Sequence, residues 1–244
     1  MSHLPYTHCV DFVRPIESII PGAQGRLLGA LARVEAPLNL RRLAQVSRVS
    51  LAQASRVLPD LVELGLVRRT DVPPAALFEL DRRNVAAQAV AAIEQLRDSV
   101  IAGMTRAAEE IDPSPESIIL FGSMARGEAR AESDIDVLVI RPTDVSNEDE
   151  GWSESVQHWV DHVRALSGNA VNLLELDRHE ATQRLRSKRA LWRSIATEGI
   201  VLSGRSLEDT EGKRRLGALA DRGSIIGDIV APAGVADDWD ALGG

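Results

Sequence analysis

The chain has 244 residues, 44% of them hydrophobic, enough to build a core, so a disordered protein is excluded for most of its length. A single cysteine, Cys9, excludes a disulfide framework and a Cys-rich zinc site. No apolar run reaches the roughly 18 residues of a membrane span, and residues 1–10 lack a signal-peptide core, so a cytoplasmic chain without a membrane partner is expected.

The net charge of -8 is unevenly distributed. Residues 23–83 hold 10 Arg against 6 acids, for +4; residues 112–204 hold 10 basic against 16 acidic groups, for -6; residues 205–244 hold 5 against 8, for -3. A mildly basic front, an acidic middle and an acidic tail point to different tasks along one chain. The arginine excess, 26 against 2 lysines, carries no mechanistic weight.

Residues 1–22, with Pro5, Pro15 and Pro21, read as an extended arm with one short strand near Cys9 to Phe12. Residues 23–35 place Leu27, Leu28, Leu31 and Val34 on one helical face. After Pro37, Asn39 caps a second helix, Ser47 to Ser50 make a tight turn, and a third helix runs to Gly65 with Leu51, Ala54, Leu58, Leu61 and Val62 inward. Two apolar runs around Pro73-Pro74 read as a hairpin. Residues 84–111 then predict one long helix, capped by Asn84 and apolar at Val85, Ala89, Ile93, Leu96, Val100, Met104, Ala107 and Ile111. This is a connecting helix for packing or for a homodimer.

From residue 112 the pattern changes. A Pro-containing linker leads into the strand SIILF, a second strand at 134–140, a helix over 148–167, a third strand at 170–176, a mostly helical stretch over 178–197 and a last short strand at 200–204. Strands separated by helices indicate an α/β arrangement with a small sheet. Together with the helical front, the chain is expected to be α+β.

One segment carries chemistry: Gly122-Ser123, ten further residues, then Asp134-Ile-Asp136. Gly122 ends a strand where a missing Cβ lets a phosphate approach the backbone, and Ser123 opens a short helix with free N–H groups and a hydroxyl. Asp134 and Asp136, at i and i+2 on a strand, project from one face. Two acids in an otherwise apolar strand are costly unless paired or bound to metal. Convergent carboxylates beside a phosphate cradle suit a divalent cation bridging to phosphates.

These residues, GSMARGEARAESDID between apolar strands, resemble the minimal nucleotidyltransferase branch of the polymerase-β superfamily over about residues 114–204. The resemblance implies Mg²⁺ (or Mn²⁺) and an NTP, with transfer of a nucleoside monophosphate to an acceptor and release of pyrophosphate. By position, Gly122 and Ser123 would hold the phosphates, Asp134 and Asp136 the metal, and Arg126 either adds charge near the phosphates or faces solvent. The family's third carboxylate, on the strand after the intervening helix, aligns with Asn172, which can offer a carbonyl to a metal but is no base near neutral pH. Glu175 points to the opposite face of a regular strand, so the third acid is missing, supplied by Glu175 through a bulge, or supplied by another segment.

The front resembles a winged helix-turn-helix of bacterial regulators, carried by NLRRLAQVSRVSLAQASRVLPDLVELGLVRR and the Pro-Pro hairpin. Its second helix would present Ser50, Gln53 and Arg56 to DNA, with Arg41, Arg42, Arg48, Arg68 and Arg69 along the backbone. Pro59 should kink that helix. A protein-docking role for the module is the alternative, since +4 is a modest charge. His158 and His162 stand four apart on a helix without a third ligand and read as a solvated face. The tail, KRRLGALADRGSIIGDIVAP followed by DDWDAL with Trp239, resembles the toxin-binding segment of small antitoxins.

Two functions therefore stand. One is a nucleotidyltransferase acting on a protein or RNA acceptor, such as a toxin, in a toxin–antitoxin or stress system. The other is a DNA-binding regulator or antitoxin whose nucleotidyltransferase-like domain binds nucleotide but turns over weakly.

Overall fold

Three helices and a hairpin form the front of the molecule because their apolar residues fall on facing stripes. The computed structural model describes residues 10–187 and 189–205, all within one compact unit spanning 1–207. In place of a wholly extended arm there is a helix, α1 (Pro15–Ile19), whose Pro15 suits the first helical turn. No strand forms at residues 10–12. Phe12 instead donates its N–H to the Ala129 carbonyl at 3.1 Å and buries its ring among residues of the C-terminal core. Cys9 and the tail bearing Trp239 lie outside the described residues.

Helix α2 (Gly22–Ala32) buries Leu27, Leu28 and Leu31. Helix α3 (Leu40–Val46) starts at Asn39, whose side chain accepts the Arg42 N–H at 2.9 Å, and α4 (Leu51–Glu63) starts at Ser50, which accepts the Gln53 N–H at 3.2 Å. Helix α4 runs on through Pro59. The carbonyl that Pro59 leaves without a helical partner belongs to Ser55, and both residues are exposed. Strands β1 (Leu38–Asn39), β2 (Val67–Val72) and β3 (Ala75–Leu80) form an antiparallel sheet in the order β1-β3-β2 and complete a winged helix.

The single long helix expected over 84–111 is two helices, α5 (Val85–Ile93) and α6 (Leu96–Ala108). Glu94 and Gln95 bond back three residues rather than four, tightening the backbone and resetting the helical phase. Val85 and Ala89 are therefore exposed, and Ala87 and Val90 pack into the winged-helix core instead. Past the break, Val100, Met104 and Ala108 of α6 join the second core.

That core surrounds a four-stranded sheet in the order β6-β5-β4-β7. Strand β4 (Ser117–Phe121) is antiparallel to β5 (Ile135–Ile140) and to β7 (Ile200–Gly204), while β6 (Val171–Leu176) runs parallel to β5 after the crossover helix α8 (Glu150–Ser167). A five-residue helix, α7 (Gly122–Arg126), follows β4. The pleat sends Ile135, Val137 and Val139 to the face covered by α6 and α8, with Trp152 and Trp159. Leu138 and Ile140 meet α9 (Arg178–Leu185) and α10 (Ala190–Glu198) on the other face. The chain is α+β, one module antiparallel and one mixed. No helix among the described residues is long and apolar enough to cross a membrane.

Candidate functional site

The site forms where β4, β5 and β6 end together. Phe121 and Asp136 are register partners across the antiparallel pair β4/β5, and Asp136 and Asn172 are partners across the parallel pair β5/β6. Three short-range consequences follow from these pairings.

First, Gly122 sits at φ +73°, and a Cβ there would collide with the Asp136 carboxylate. Glycine is required by its backbone and by the acid packed against it, a constraint distinct from the phosphate approach that the sequence alone suggests. Second, Asn172 donates its amide to Asp136 Oδ1 at 3.1 Å. Third, Asp134 is exposed and makes no hydrogen bond or ion pair with any described residue, and the half-buried Ser123 hydroxyl makes none either.

The loop before Asp134 is held from below. Ser133 accepts the Arg130 N–H on its hydroxyl at 2.9 Å, its carbonyl accepts the Asn169 amide at 2.8 Å, and Ile135 N–H reaches the Ala170 carbonyl at 2.8 Å. Asn169 is only 2% exposed, and its Oδ1 has no hydrogen-bond partner. Nothing local in the sequence marks Asn169 as a site support, because its partner Ser133 lies 36 residues away.

Gly122, Asp136 and Asn172 are thus brought into contact, with Ser123 next to Gly122 and Asp134 two residues before Asp136 along the chain. Glu175 does not join them. It lies on the α6/α8 face of β6, where Arg141 donates to it at 2.6 Å and Trp152 Nε1 at 3.0 Å. Strands β5 and β6 keep regular register from Ile135–Val171 to Ile140–Leu176, so no bulge turns Glu175 toward Asp136. Arg126 is bound to Glu128 at 2.8 Å and stands 3.6 Å from Glu198, a place between the two that its sequence reading left open. The hydrogen bond that Arg126 donates to Glu128, with the charge of Glu198 behind it, pushes the guanidinium above its ordinary pKa.

The donors at the strand ends are hard oxygens: two carboxylates and one amide. Such a set suits Mg²⁺ or Mn²⁺ with phosphate oxygens and water completing the shell. Asp134 is free to ligate, and Asp136 is already fixed by Gly122 and Asn172. No group of three His, Cys, Asp or Glu that could hold an ion occurs among the described residues. His158 and His162 are both exposed on α8.

On the winged helix, Ser50, Gln53 and Arg56 recur every three residues at the start of α4, all exposed. The Ser50 hydroxyl is engaged as the cap, whereas Arg56 has no carboxylate partner among the described residues. Arg68 lies directly opposite Glu79 in the hairpin and pairs with it at 2.6 Å. Arg69 pairs with Asp71 at 2.8 Å.

Residues 103–189 match the family model of the nucleotidyltransferase domain, and residues 20–76 match that of the MarR family. Over these two segments, neither of which reaches half of the chain, the chain is similar to a nucleotidyltransferase domain and to a MarR-type winged helix. No curated protein matches it. Among solved structures it is similar to a toxin–antitoxin crystal structure with AMP-PNP, at 20% identity and TM-score 0.32, over 46% of this chain and 78% of that one. It is also similar to a mutant MntA–HpeT toxin–antitoxin structure, at 18% identity and TM-score 0.31, over 47% and 78%. These likenesses are too distant to carry a shared function.

Proposed function

We propose that the C-terminal module transfers a nucleoside monophosphate from an NTP to a protein or RNA acceptor, while the winged helix binds DNA. The observation that carries this reading is the Asp136 carboxylate packed against Gly122, which joins the two halves of the motif into one site beside an unpaired Asp134. Asp134 and Asp136 would hold Mg²⁺ or Mn²⁺, which when bound supplies neutralising charge to the triphosphate. The Gly122 and Ser123 amides and the Ser123 hydroxyl hold phosphate oxygens. An acceptor oxygen forms a bond to the α-phosphorus, the bond to the β-phosphate oxygen breaks, and pyrophosphate leaves. Asn172 cannot accept the acceptor's proton, which passes to water. The acceptor we propose is a partner macromolecule, such as a toxin, in a toxin–antitoxin or stress system.

A second reading has its own support. Asn172 bonded to Asp136 leaves the site without a third acid, which favours a DNA-binding regulator or antitoxin whose nucleotide site turns over weakly. Incubation with labelled NTPs, Mg²⁺ and a cell lysate separates the two. Covalent label on a protein or RNA supports transfer; nucleotide that binds but is recovered intact supports the second. Asp134→Ala and Asp136→Ala should each abolish metal-dependent NTP binding in a folded chain, and unchanged affinity in both would refute the site.

A further inference from the structure

Helix α7 is only five residues long, too short to be stable alone, and its last carbonyls lack partners within the helix. Two are met locally: the Gly127 N–H reaches Met124 O at 3.3 Å and the Glu128 N–H reaches Ser123 O at 2.8 Å. The rest of the support comes from far away in sequence. Arg97, in the first turn of α6, donates Nε to Met124 O at 2.8 Å and a terminal nitrogen to Ala125 O at 2.7 Å. The planar guanidinium fork fits two successive carbonyls, and a charged donor makes both bonds strong. The Arg97 side chain is 24% exposed; its remaining nitrogen meets Asp98 at 3.0 Å.

The same junction also touches the winged helix. Glu94, three residues before Arg97, lies 3.7 Å from Arg33 at the end of α2, and Arg33 in turn bonds Glu17 at 3.3 Å. Four consecutive residues, 94–97, thus reach the winged helix on one side and the nucleotide loop on the other. The motif itself, residues 122–136, contains nothing that calls for an arginine at position 97.

We infer that Arg97 is a positioning residue: it locks α7 to the connecting segment and so fixes the Gly122 and Ser123 donors relative to Asp134 and Asp136. The inference rests on the nucleotide site proposed above. Its role is indirect, because it holds the C-terminal end of α7 while the donors lie at the other end.

The test uses the full chain with Arg97→Ala, Arg97→Lys and, as control, Asp98→Ala, and reads amide exchange over 122–127 together with NTP affinity in Mg²⁺. Arg97→Ala should quicken exchange at these amides and weaken NTP binding by about 10-fold or more, from the loss of two charge-assisted hydrogen bonds. Arg97→Lys should recover part of both, since an ammonium can reach a carbonyl but cannot form the fork. Asp98→Ala should match the wild type. Unchanged exchange and affinity in a folded Arg97→Ala chain, or a lower melting temperature alone, would overturn the inference. A wild type that binds no NTP, with exchange still quickened by Arg97→Ala, would sink the nucleotide reading and leave the lock standing.

Discussion

Asn172 donates its amide to Asp136 across neighbouring parallel strands, at 3.1 Å, in a place where a carboxylate would face a carboxylate. The amide replaces a carboxylate–carboxylate repulsion with a hydrogen bond, and unlike a carboxylate it cannot take a proton near neutral pH. Asn172→Asp should therefore have two linked effects. Without divalent cation the melting temperature should fall; with Mg²⁺ it should recover, because the third carboxylate gains a cation to ligate. If the site transfers nucleotide slowly, turnover should rise, since base participation is typically worth on the order of 100- to 10,000-fold. Equal turnover in wild type and variant, in an active preparation, would mean that Asn172 is not at the reacting centre.

Glu175 is expected to matter for folding and not for nucleotide. Its partner Arg141 has a side chain only 12% exposed, and Trp152 is fully buried apart from the bond it donates to the same carboxylate oxygen. Glu175→Gln weakens a charge-assisted pair in a half-buried place, so unfolding should be easier by about 1–3 kcal/mol. NTP affinity of the folded variant should equal that of the wild type. A loss of affinity at unchanged stability would return Glu175 to the site.

Glu94 gives a pH signature. Burial is the largest influence on its carboxyl and raises the pKa, Arg33 opposes the rise, and Glu17 adds to it. A folded pKa above the unfolded value means the folded state holds the proton more tightly. The stability from this group is full below the unfolded carboxylate range and is lost as pH rises through the folded pKa. Glu94→Gln should thus stabilise the chain near neutrality, and the advantage should shrink as pH falls below the unfolded carboxylate range of about 4. Urea melts near neutrality and below that range check this. A variant less stable than wild type near neutrality would show that the Arg33 pair outweighs burial.

Much of this was legible in sequence for physical reasons. Caps at Asn39 and Asn84 are local and read directly, as are the apolar strands around the Gly122 to Asp136 motif. The break at Glu94 was not legible, because helix propensity runs through it and the tightened turn meets a long-range partner, Arg33. Helix α1 was hidden by its prolines, which exclude a helix interior but permit a first turn. At the site, the choice between Asn172 and Glu175 depended on strand register, which the pairing of β5 with β6 fixes and single-strand periodicity leaves open. Asn169 and Arg97 act on residues 36 and about 28 positions away, so no motif window contains them with their partners.

Pairing also changes what the wing should do on DNA. Arg68 had the features of a phosphate contact, yet its guanidinium is occupied by Glu79 directly across the hairpin, at 2.6 Å. A neutralised arginine contributes little to counterion release, so Arg68→Ala should change DNA affinity and its salt dependence only slightly. Glu79→Gln frees the cation without moving the strand. It should tighten binding to all sequences alike and steepen the slope of log affinity against log salt by up to about 0.9, the increment for one added phosphate contact on duplex DNA. Arg56, with no carboxylate partner, should behave differently: Arg56→Ala and Gln53→Ala should weaken a specific complex more than a random duplex. Anisotropy titrations across a salt series distinguish these outcomes. If Glu79→Gln leaves the slope unchanged while Arg56→Ala lowers affinity, α4 reaches DNA and the wing does not. Absence of any DNA complex at low salt would assign the winged helix to protein docking.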